Sequence, residues 1–364
     1  MVYWDQKTKE KIRKGYFSAV YFNRTKYILE KEKNYKVVTM QIFQKKDGAI
    51  LCGVNEVIEL LKIGTGYYQG KKWINKWNEV TLKTLKDGDR ISAWETVMHL
   101  SGPYLYFAHL ESLYLGILSR RTLVATNTKK IVDASFGKPV IFFGDRFDHF
   151  FNQEGDGYAA HTGGAFGVCT PAHAAWWNGQ AQGTIPHSLI AINFGDTVKA
   201  AELFEKYFEK NNFRIIALVD FDNDCVKTAL EVAYALKDKL WGIRLDTAEN
   251  IVDKSIKLQM NKDNSLDDKN RKYYGVNPTL VKLVRRALDK EGFTHVKIVV
   301  SGGFNEQKVK WFEKEKAPVD FYGVGSAIVH GENDFTADVV MVEGKKVAKA
   351  GREYKENPRL KSAS

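Results

Sequence analysis

The sequence predicts an α/β protein in which strands alternate with helices and form a parallel sheet or a barrel. From about residue 140 to residue 329, short apolar runs are separated by segments long enough for helices, which is the pattern of repeated βα units. Glycine-rich or polar segments adjoin six of these runs, at residues 144–146, 183–188, 220–222, 244–247, 301–303 and 323–326. Because α/β barrels carry their chemistry at the carboxyl ends of the strands, the chain is an enzyme candidate.

The composition is that of a globular protein with room for two domains. The 364 residues suffice for a barrel and a smaller second domain. The three cysteines have no CxxC spacing, which argues against a disulfide framework and against a four-ligand zinc site. The first residues lack the apolar core of a signal peptide, and no apolar run reaches membrane-spanning length. We therefore expect a cytoplasmic protein that does not contact membranes.

The excess of basic residues indicates an anionic partner. The formal net charge at pH 7 is +11, which suits either nucleic acid or a phosphorylated small molecule. Much of this excess lies on lysine-rich helical faces and in the last twenty or so residues, without the aromatic pattern of an RNA-recognition motif. Nucleic acid is therefore the less favoured partner.

Three segments are predicted along the chain. Residues 1–115 form an N-terminal domain of mixed α and β structure, residues 116–330 form the barrel, and residues 331–364 return as strands to the N-terminal domain. In the first segment we expect helices at 16–32 and 54–62, strands at 37–43, 73–77, 79–82 and 90–100, and an amphipathic segment at 105–118. The polar run 261–272 is expected to be a surface loop, and residues 336–350 a hairpin that packs on the N-terminal sheet.

Two glycine-rich turns are the strongest indication of a ligand site. Ser301-Gly302-Gly303 follows the strand predicted at 297–300, and Gly323-Val324-Gly325-Ser326 follows the strand predicted at 319–322. Glycines let backbone N–H groups approach an anion closely, and the N-terminus of a helix favours negative charge. Each turn alone is compatible with an ordinary βα connection. Since the last two strands of a barrel commonly bind phosphate, the pair predicts a phosphate site.

Acidic residues at strand ends form a second candidate cluster. Asp220, Asp222 and Asp246 follow predicted strands, where carboxylates can bind ribose hydroxyls or Mg²⁺. Capping of the following helix is the alternative for Asp222 and Asp246, and it is the preferred interpretation for Asp224. Arg244 alternates with Asp246 in one extended strand, so the two side chains are predicted to face the same side.

His187 and Arg146 complete the candidate set. His187 lies in Gly183-Thr184-Ile185-Pro186-His187-Ser188 at a predicted strand end, where a catalytic and a structural histidine are equally compatible with the pattern. Arg146 is a candidate clamp for phosphate or carboxylate, because a guanidinium donates to such oxygens in pairs. The sequence contains no HExxH metal motif, Walker A motif or serine nucleophile elbow.

These motifs resemble those of the type II phosphoribosyltransferases, specifically the nicotinate phosphoribosyltransferase family. Phe143-Gly144-Asp145-Arg146 resembles the family's Phe-Gly-x-Arg motif, and residues 183–188 resemble Gly-Thr-x-x-His-Ser. Residues 242–247 are similar to the family's Gly-Val-Arg-x-Asp-Ser segment. Residues 301–303 and 322–326 resemble its 5′-phosphate loops, and residues 335–338 resemble the start of its C-terminal strands.

The resemblance implies a fold and an activity. The implied fold is an irregular, TIM-like α/β barrel joined to an α/β sandwich domain built from both chain ends. The implied reaction converts nicotinate and phosphoribosyl pyrophosphate into nicotinate mononucleotide and pyrophosphate, with hydrolysis of ATP, in the salvage route of NAD biosynthesis. Mg²⁺ is the implied cofactor, ATP is a co-substrate, and the implied assembly is a homodimer.

The resemblance also implies roles for individual residues. His187 would be phosphorylated by ATP, while Arg244 and Asp246 would hold the ribose and its leaving group. Tyr21 would stack on the pyridine ring from the partner subunit. The remaining substrate-binding residues would be Arg146, Thr184, Asp220, Asp222, Ser301, Gly302, Gly303, Gly323, Gly325 and Ser326.

Two positions depart from the family pattern. Phe147 stands where many relatives carry a second arginine, and Cys169-Thr170 stands where many carry Ser-Asn. Relatives that prefer nicotinamide place an aspartate near the second position, and its absence here favours an acidic base such as nicotinate. A decarboxylating quinolinate phosphoribosyltransferase is the alternative function, and a non-enzymatic RNA-binding barrel is a more distant one.

Overall fold

The computed structural model describes residues 3–208, 214–260 and 271–363 and divides the chain into two compact units. Unit 1 comprises Met1–Thr126 and His330–Ser364, and unit 2 comprises Asn127–Val329. The predicted boundary at residue 115 lies inside a continuous helix, Glu111–Ala134. The three-segment domain assignment stays a prediction. Most of the loop predicted at 261–272 lies outside the described residues, and Arg271–Tyr273 forms a 3-10 turn.

Unit 1 is built on a sheet of six antiparallel strands with helices packed against it. The strands of the whole unit are β1 (Val37–Gln44), β2 (Ala49–Ile50), β3 (Gly66–Gln69), β4 (Lys72–Asn75), β5 (Thr81–Thr84), β6 (Arg90–Ile91), β7 (Thr96–Pro103), β14 (Phe335–Val342), β15 (Lys345–Lys346) and β16 (Lys361–Ser362). β2 pairs with β6 and β3 pairs with β4 in two small sheets of their own. Its helices are α1 (Gln6–Arg13), α2 (Val20–Lys31), α3 (Val54–Gly64) and the first part of α4 (Glu111–Ala134). The strand order β15-β14-β1-β7-β5-β16 places strands from both chain ends in one sheet.

Apolar residues at regular spacing build the core of unit 1. Val38, Met40 and Ile42 alternate along β1 and belong to one buried cluster, so they face the core from the same side of the strand. Val57, Leu60 and Leu61 lie on one face of α3 and belong to the same buried cluster. β14 pairs antiparallel with both β15 and β1, so the predicted closing hairpin joins this sheet, but its second strand ends at Lys346 rather than at residue 350.

The prediction of one continuous strand at 90–100 is wrong. The structure has two strands there, since β6 ends at Ile91 and β7 begins at Thr96. Trp94 lies between them with a φ of 64°, a left-handed conformation that a regular strand does not accommodate. The segment predicted at 105–118 also differs, because two 3-10 turns precede α4.

Replacing Gly116 with alanine is expected to raise the free energy of unfolding by about 0.5–1 kcal/mol. Gly116 is an exposed residue within α4, and a Cβ placed there meets no atom within 4 Å. The substitution therefore lowers the entropy of the unfolded chain without strain in the helix. Urea denaturation of the two proteins measures the change, and an unchanged or lower stability would contradict it.

Unit 2 is built on six parallel strands in the order β10-β11-β12-β13-β8-β9. The strands are β8 (Val140–Phe142), β9 (Gly167–Val168), β10 (Ile215–Leu218), β11 (Leu240–Leu245), β12 (Lys297–Val300) and β13 (Phe321–Val324). The helices are the rest of α4, α5 (Gln153–Thr162), α6 (Pro171–Ala174), α7 (His187–Ile192), α8 (Thr197–Phe208), α9 (Cys225–Leu236), α10 (Lys254–Met260), α11 (Pro278–Lys290), α12 (Glu306–Lys314) and α13 (Ser326–Val329). β10 is buried at every position, as expected for a parallel strand covered on both faces.

An irregular segment joins the two outer strands of this sheet. The Gln182 amide donates to the Val168 carbonyl at 2.7 Å, and the Ile185 amide donates to the Ile216 carbonyl at 3.0 Å. Backbone hydrogen bonds therefore connect β9 with β10 through this segment. The predicted fold class, an irregular α/β barrel with an α/β sandwich domain built from both chain ends, is confirmed.

Two strand ends differ from the prediction. Residues 183–188 follow an isolated bridge at Ala181 rather than a regular strand, and His187 begins α7. β13 extends to Val324, so Gly323 lies inside the strand and pairs with Ile141 instead of following the strand. Only glycine fits there, because a Cβ at Gly323 would collide with the Phe143 ring.

Within residues 3–208, 214–260 and 271–363, no helix is both long enough and apolar enough to cross a bilayer. Cys52, Cys169 and Cys225 are all free thiols.

Candidate active site

The carboxyl ends of the unit 2 strands surround a cavity of about 490 Å³. Residues from the ends of β8, β11, β12 and β13 line it, together with the segment that links β9 to β10. Because the strands are parallel, all of these ends meet on one side of the sheet. Of the predicted site residues, the cavity is lined by Arg146, Thr184, His187, Arg244, Asp246, Ser301, Gly302, Gly303, Gly323, Gly325 and Ser326.

Three predicted residues do not line this cavity. Asp220 lies behind His187 and contacts its ring. Asp222 is an exposed turn residue just beyond β10. Tyr21 belongs to unit 1, where it is exposed near the start of α2 and packs against the Phe22 ring.

The Arg244 guanidinium is the centre of a hydrogen-bond network in the cavity. Its Nη2 donates to Asp246 Oδ2 at 3.0 Å, which confirms that the two side chains face the same side of the strand. Nε donates to Ser301 Oγ at 2.7 Å, and Nη1 donates to Thr184 Oγ1 at 3.1 Å. The guanidinium carbon also lies 4.9 Å from the centroid of the Phe143 ring. Four chain segments therefore hold this arginine in one orientation.

Asp246 is committed to this network and does not cap a helix. Ser301 Oγ donates to Asp246 Oδ1 at 2.7 Å, while Oδ2 accepts from Arg244. Both side chains of the ion pair are mostly buried, with 17% of Arg244 and 18% of Asp246 exposed. The capping alternative for Asp246 is thus wrong, because both carboxylate oxygens have partners inside the cavity wall.

The glycine-rich turns present backbone donors to the cavity. Gly302 and Gly303 have φ values of 89° and 63°, a region that favours glycine. Within the ranges that the structure describes, neither amide N–H has a hydrogen-bond acceptor. Gly325 allows a close approach of Phe147, because a Cβ there would collide with the Phe147 ring. The turns can therefore accept an anion against exposed N–H groups.

His187 and Asp220 form a pair at the cavity wall. His187 Nε2 lies 3.1 Å from both carboxylate oxygens of Asp220. The hydrogen bond to Asp220 raises the pKa of His187 above its ordinary value, although burial acts in the opposite direction. Asp220 itself is almost fully buried, while 43% of the His187 side chain is exposed. The carboxylate thus orients a ring that remains open to the cavity.

Replacing Asp220 with asparagine is expected to lower the pKa of His187, because the carboxylate supplies the largest contribution to its rise. In the wild type, the pair stabilises the fold below the ordinary histidine pKa and loses that contribution as pH rises through the raised pKa. NMR titration of the His187 ring protons measures the shift. Asp222→Asn is the matched control, since Asp222 is an exposed neighbour outside the cavity. Equal pKa values in wild type and Asp220→Asn would contradict the assignment.

The N-terminus of α9 corrects one prediction. Asp224 occupies the N-cap position, but its side chain makes no capping hydrogen bond to the helix. The Cys225 amide donates to Asp253 Oδ2 at 3.1 Å, and the Val226 amide donates to Ser255 Oγ at 3.2 Å. Asp224 instead accepts from Ser255 Oγ at 3.1 Å. Residues distant in sequence therefore cap this helix, and the cap preference for Asp224 is wrong.

Asp145 and Cys169 are among the cavity residues that were not candidates. Asp145 lies directly before Arg146 in the motif at residues 143–146, and this position could have identified it as a cavity residue. Cys169 lines the same cavity, and its Sγ lies 3.4 Å from Asp145 Oδ1. Burial, with the charge of Asp145, raises the pKa of Cys169 to about 12. Cys169 is therefore a neutral thiol donor and not a nucleophile.

Asp145 is the cavity carboxylate that fits Mg²⁺ arriving with a phosphate ligand. Among the described residues, no group of three or more His, Cys, Asp or Glu side chains forms a metal site. Asp145 nevertheless lines the cavity, whereas both oxygens of Asp246 are held by Arg244 and Ser301. Proteins commonly bind Mg²⁺ through one or two carboxylates, with substrate phosphates and water completing the shell.

Comparison with known proteins identifies the class to which this fold and cavity belong. Residues 19–122 match the N-terminal domain of quinolinate phosphoribosyl transferase. The solved structure of a nicotinate-nucleotide pyrophosphorylase from Pyrococcus furiosus is 32% identical in sequence, and the match covers 97% of this chain and 84% of that chain with a TM-score of 0.79. The chain belongs to the type II phosphoribosyltransferase family.

Curated relatives carry a more specific name. Nicotinate phosphoribosyltransferase pncB1 of Mycobacterium tuberculosis is 28% identical over 280 residues, which cover 75% of this chain and 56% of that protein. Nicotinate phosphoribosyltransferase of Bacillus subtilis is 24% identical over 251 residues, covering 68% of this chain and 45% of that protein. This chain thus spans about half the length of these curated relatives.

Proposed function

We propose that this chain is a nicotinate phosphoribosyltransferase. It would form nicotinate mononucleotide and pyrophosphate from nicotinate and phosphoribosyl pyrophosphate, coupled to ATP hydrolysis, in NAD salvage. The observation that carries the proposal is the single cavity lined by the Arg244–Asp246 pair, the two glycine-rich turns and His187. Such a cavity offers separate groups for a phosphate, a ribose and an ATP-dependent step.

The sugar substrate can be placed by its charges. The backbone N–H groups of Gly302 and Gly303 would bind the 5′-phosphate. Arg146 lines the cavity, and its guanidinium carbon lies 5.6 Å from the centroid of the Phe147 ring. Within residues 3–208, 214–260 and 271–363, Arg146 has no acidic partner. Its guanidinium would bind the pyrophosphate group. Arg244 and Asp246 would hold the ribose between these two ends.

The reaction is a displacement at C1 of the ribose by the pyridine nitrogen. The C1–O bond to pyrophosphate breaks as the C1–N bond forms, and positive charge develops on the sugar. The Asp246 carboxylate stabilises that charge, while Arg146 stabilises the departing pyrophosphate. Mg²⁺, when bound with the substrate, supplies further charge neutralisation for the leaving group.

His187 would take the phosphoryl group from ATP. Its Nε2 is directed at Asp220, so the neutral ring carries its proton on Nε2 and the lone pair on Nδ1. Nδ1 attacks the γ-phosphorus, the bond to ADP breaks, and Asp220 stabilises the charge that develops on the ring. Hydrolysis of the phosphohistidine after turnover returns the enzyme to its first state.

A base with two carboxylates is disfavoured by the cations of the cavity. Arg146 and Arg244 are its arginines, Arg146 is assigned to pyrophosphate, and each nitrogen of Arg244 already has a partner. One carboxylate, as in nicotinate, is therefore easier to accommodate than the two of quinolinate. Asp145 Oδ1 lies 3.4 Å from Cys169 Sγ, so the fold does bring a carboxylate beside the position where relatives that prefer nicotinamide carry an aspartate. Nicotinamide is therefore the informative comparison.

The assembly and location are part of the proposal. Tyr21 is exposed on α2, where its ring would be available to stack on the pyridine ring in a homodimer. The free cysteines agree with a cytoplasmic protein.

The proposal is tested by assaying mononucleotide formation from nicotinate, nicotinamide and quinolinate side by side, each with and without ATP. We expect product from nicotinate, stimulated by ATP. Release of CO₂ from quinolinate would instead identify the decarboxylating enzyme, and the absence of product from all three bases would refute the proposal.

A further inference from the structure

We propose that Lys308 is a positioning residue for the phosphate site, because its ammonium holds the Gly302 carbonyl and thereby directs the Gly303 N–H into the cavity. This inference rests on the proposed function, since it concerns how the 5′-phosphate is anchored. Lys308 lies outside the motifs at residues 143–146, 183–188, 242–247, 301–303 and 322–326.

Lys308 belongs to α12, but its side chain returns to the glycine-rich turn before that helix. Its backbone N–H donates to Asn305 Oδ1 at 2.9 Å, which caps the helix. Its Nζ donates to the Gly302 carbonyl oxygen at 2.7 Å and lies 4.7 Å from the centroid of the Phe304 ring. The residue is therefore held by its backbone and by its ammonium at the same time.

The peptide between Gly302 and Gly303 is the group that Lys308 controls. In a trans peptide the C=O and the following N–H point in opposite directions. Lys308 does not line the main cavity but a second one, beside Glu249 and Trp311. A carbonyl held toward this second side places the Gly303 N–H on the opposite side, where both glycines line the main cavity.

This orientation matters because the turn is made of glycines. Both have positive φ values and wide conformational freedom, so an untethered peptide could rotate its N–H away from an anion. A charge-assisted hydrogen bond from an ammonium is stronger than a neutral one and also polarises the peptide it holds. A donor fixed in advance needs no reorganisation when phosphate binds.

The surroundings of Lys308 support this role. Burial lowers the pKa of Lys308, while the carboxylates of Glu249 and Asp246 act in the opposite direction. Lys310, two residues further along the same helix, is exposed and pairs with Glu306. The two lysines therefore differ in environment although they share one helix.

The test compares Lys308→Met with Lys310→Met. We expect Lys308→Met to raise the KM for phosphoribosyl pyrophosphate about tenfold, equivalent to about 1.4 kcal/mol, with kcat and the KM for nicotinate unchanged. Calorimetric binding of ribose 5-phosphate should weaken by a similar factor, whereas binding of inorganic pyrophosphate should not. Lys310→Met should behave as the wild type, and Lys308→Arg should recover most of the loss.

Failure of this inference is distinguishable from failure of the proposed function. If the wild type is active and Lys308→Met has the KM of Lys310→Met, the positioning role is overturned and the proposed function stands. If the wild type forms no mononucleotide, the proposed function fails. Ribose 5-phosphate binding then still tests Lys308, and equal affinities in the two variants overturn its role. Circular dichroism checks the fold, and Lys308→Gln replaces Lys308→Met should the latter unfold.

Discussion

Replacing His187 with alanine is expected to abolish the stimulation of mononucleotide formation by ATP while a slow, ATP-independent transfer persists. The reason is a separation of roles within the cavity. Arg244, Asp246 and the glycine-rich turns would bind and activate the sugar substrate, whereas His187 would only accept the phosphoryl group. Removal of the imidazole therefore removes the ATP-dependent step and leaves the groups that support the displacement.

The His187→Ala experiment has two readouts. Rates with and without ATP give the stimulation factor, which should fall to about one. Incubation with γ-labelled ATP should leave acid-labile phosphate on the wild type and none on the variant. His295→Ala is the matched control, because His295 is an exposed histidine of the same unit that does not line the cavity. Unchanged ATP dependence in His187→Ala would refute the assignment.

Replacing Arg244 with lysine is expected to lower kcat/KM for phosphoribosyl pyrophosphate by about 100-fold to 1,000-fold, the range seen when a preorganised donor is lost from an active site. Lysine keeps the positive charge but not the planar fork of donors. It therefore cannot hold Asp246, Ser301 and Thr184 together as the guanidinium does. The substitution should also disturb the position of the Asp246 carboxylate, since that carboxylate depends on Arg244 for its orientation.

The matched control is Arg214→Lys, at an exposed arginine that stacks on Trp241 at 4.9 Å and does not line the cavity. Steady-state kinetics with saturating nicotinate measures the effect, and thermal unfolding checks that the fold is retained. A kcat/KM for Arg244→Lys equal to that of the control would show that the fork geometry contributes nothing to turnover.

Strand positions and local motifs were largely predictable because they depend on neighbours in sequence. The apolar run of β10 and the alternation of Arg244 with Asp246 follow directly from the spacing of residues in a strand. The errors lie where distant residues decide. Gly323 belongs to β13 because its backbone pairs with Ile141 of β8, and that pairing has no signature in the local sequence.

The pairings that make the site also depend on tertiary structure. Asp220 was a candidate for ribose or Mg²⁺, but the fold directs it at His187, 33 residues away in sequence. The backbone hydrogen bonds from Gln182 and Ile185 to the two outer strands depend on the strand order of the barrel. The spacing of residues in the sequence does not encode that order. Lys308 was overlooked for the same reason, since its importance comes from the carbonyl that it reaches.

By itself the sequence determined that this is a chain of βα units whose polar and glycine-rich strand ends carry the chemistry, because both features are written in local spacing. Only the tertiary structure decided which of those residues share one cavity and which act through a neighbour. The physical reason is that parallel strands bring their carboxyl ends to one edge whatever their separation along the chain. Contacts across that edge are set by strand order and packing.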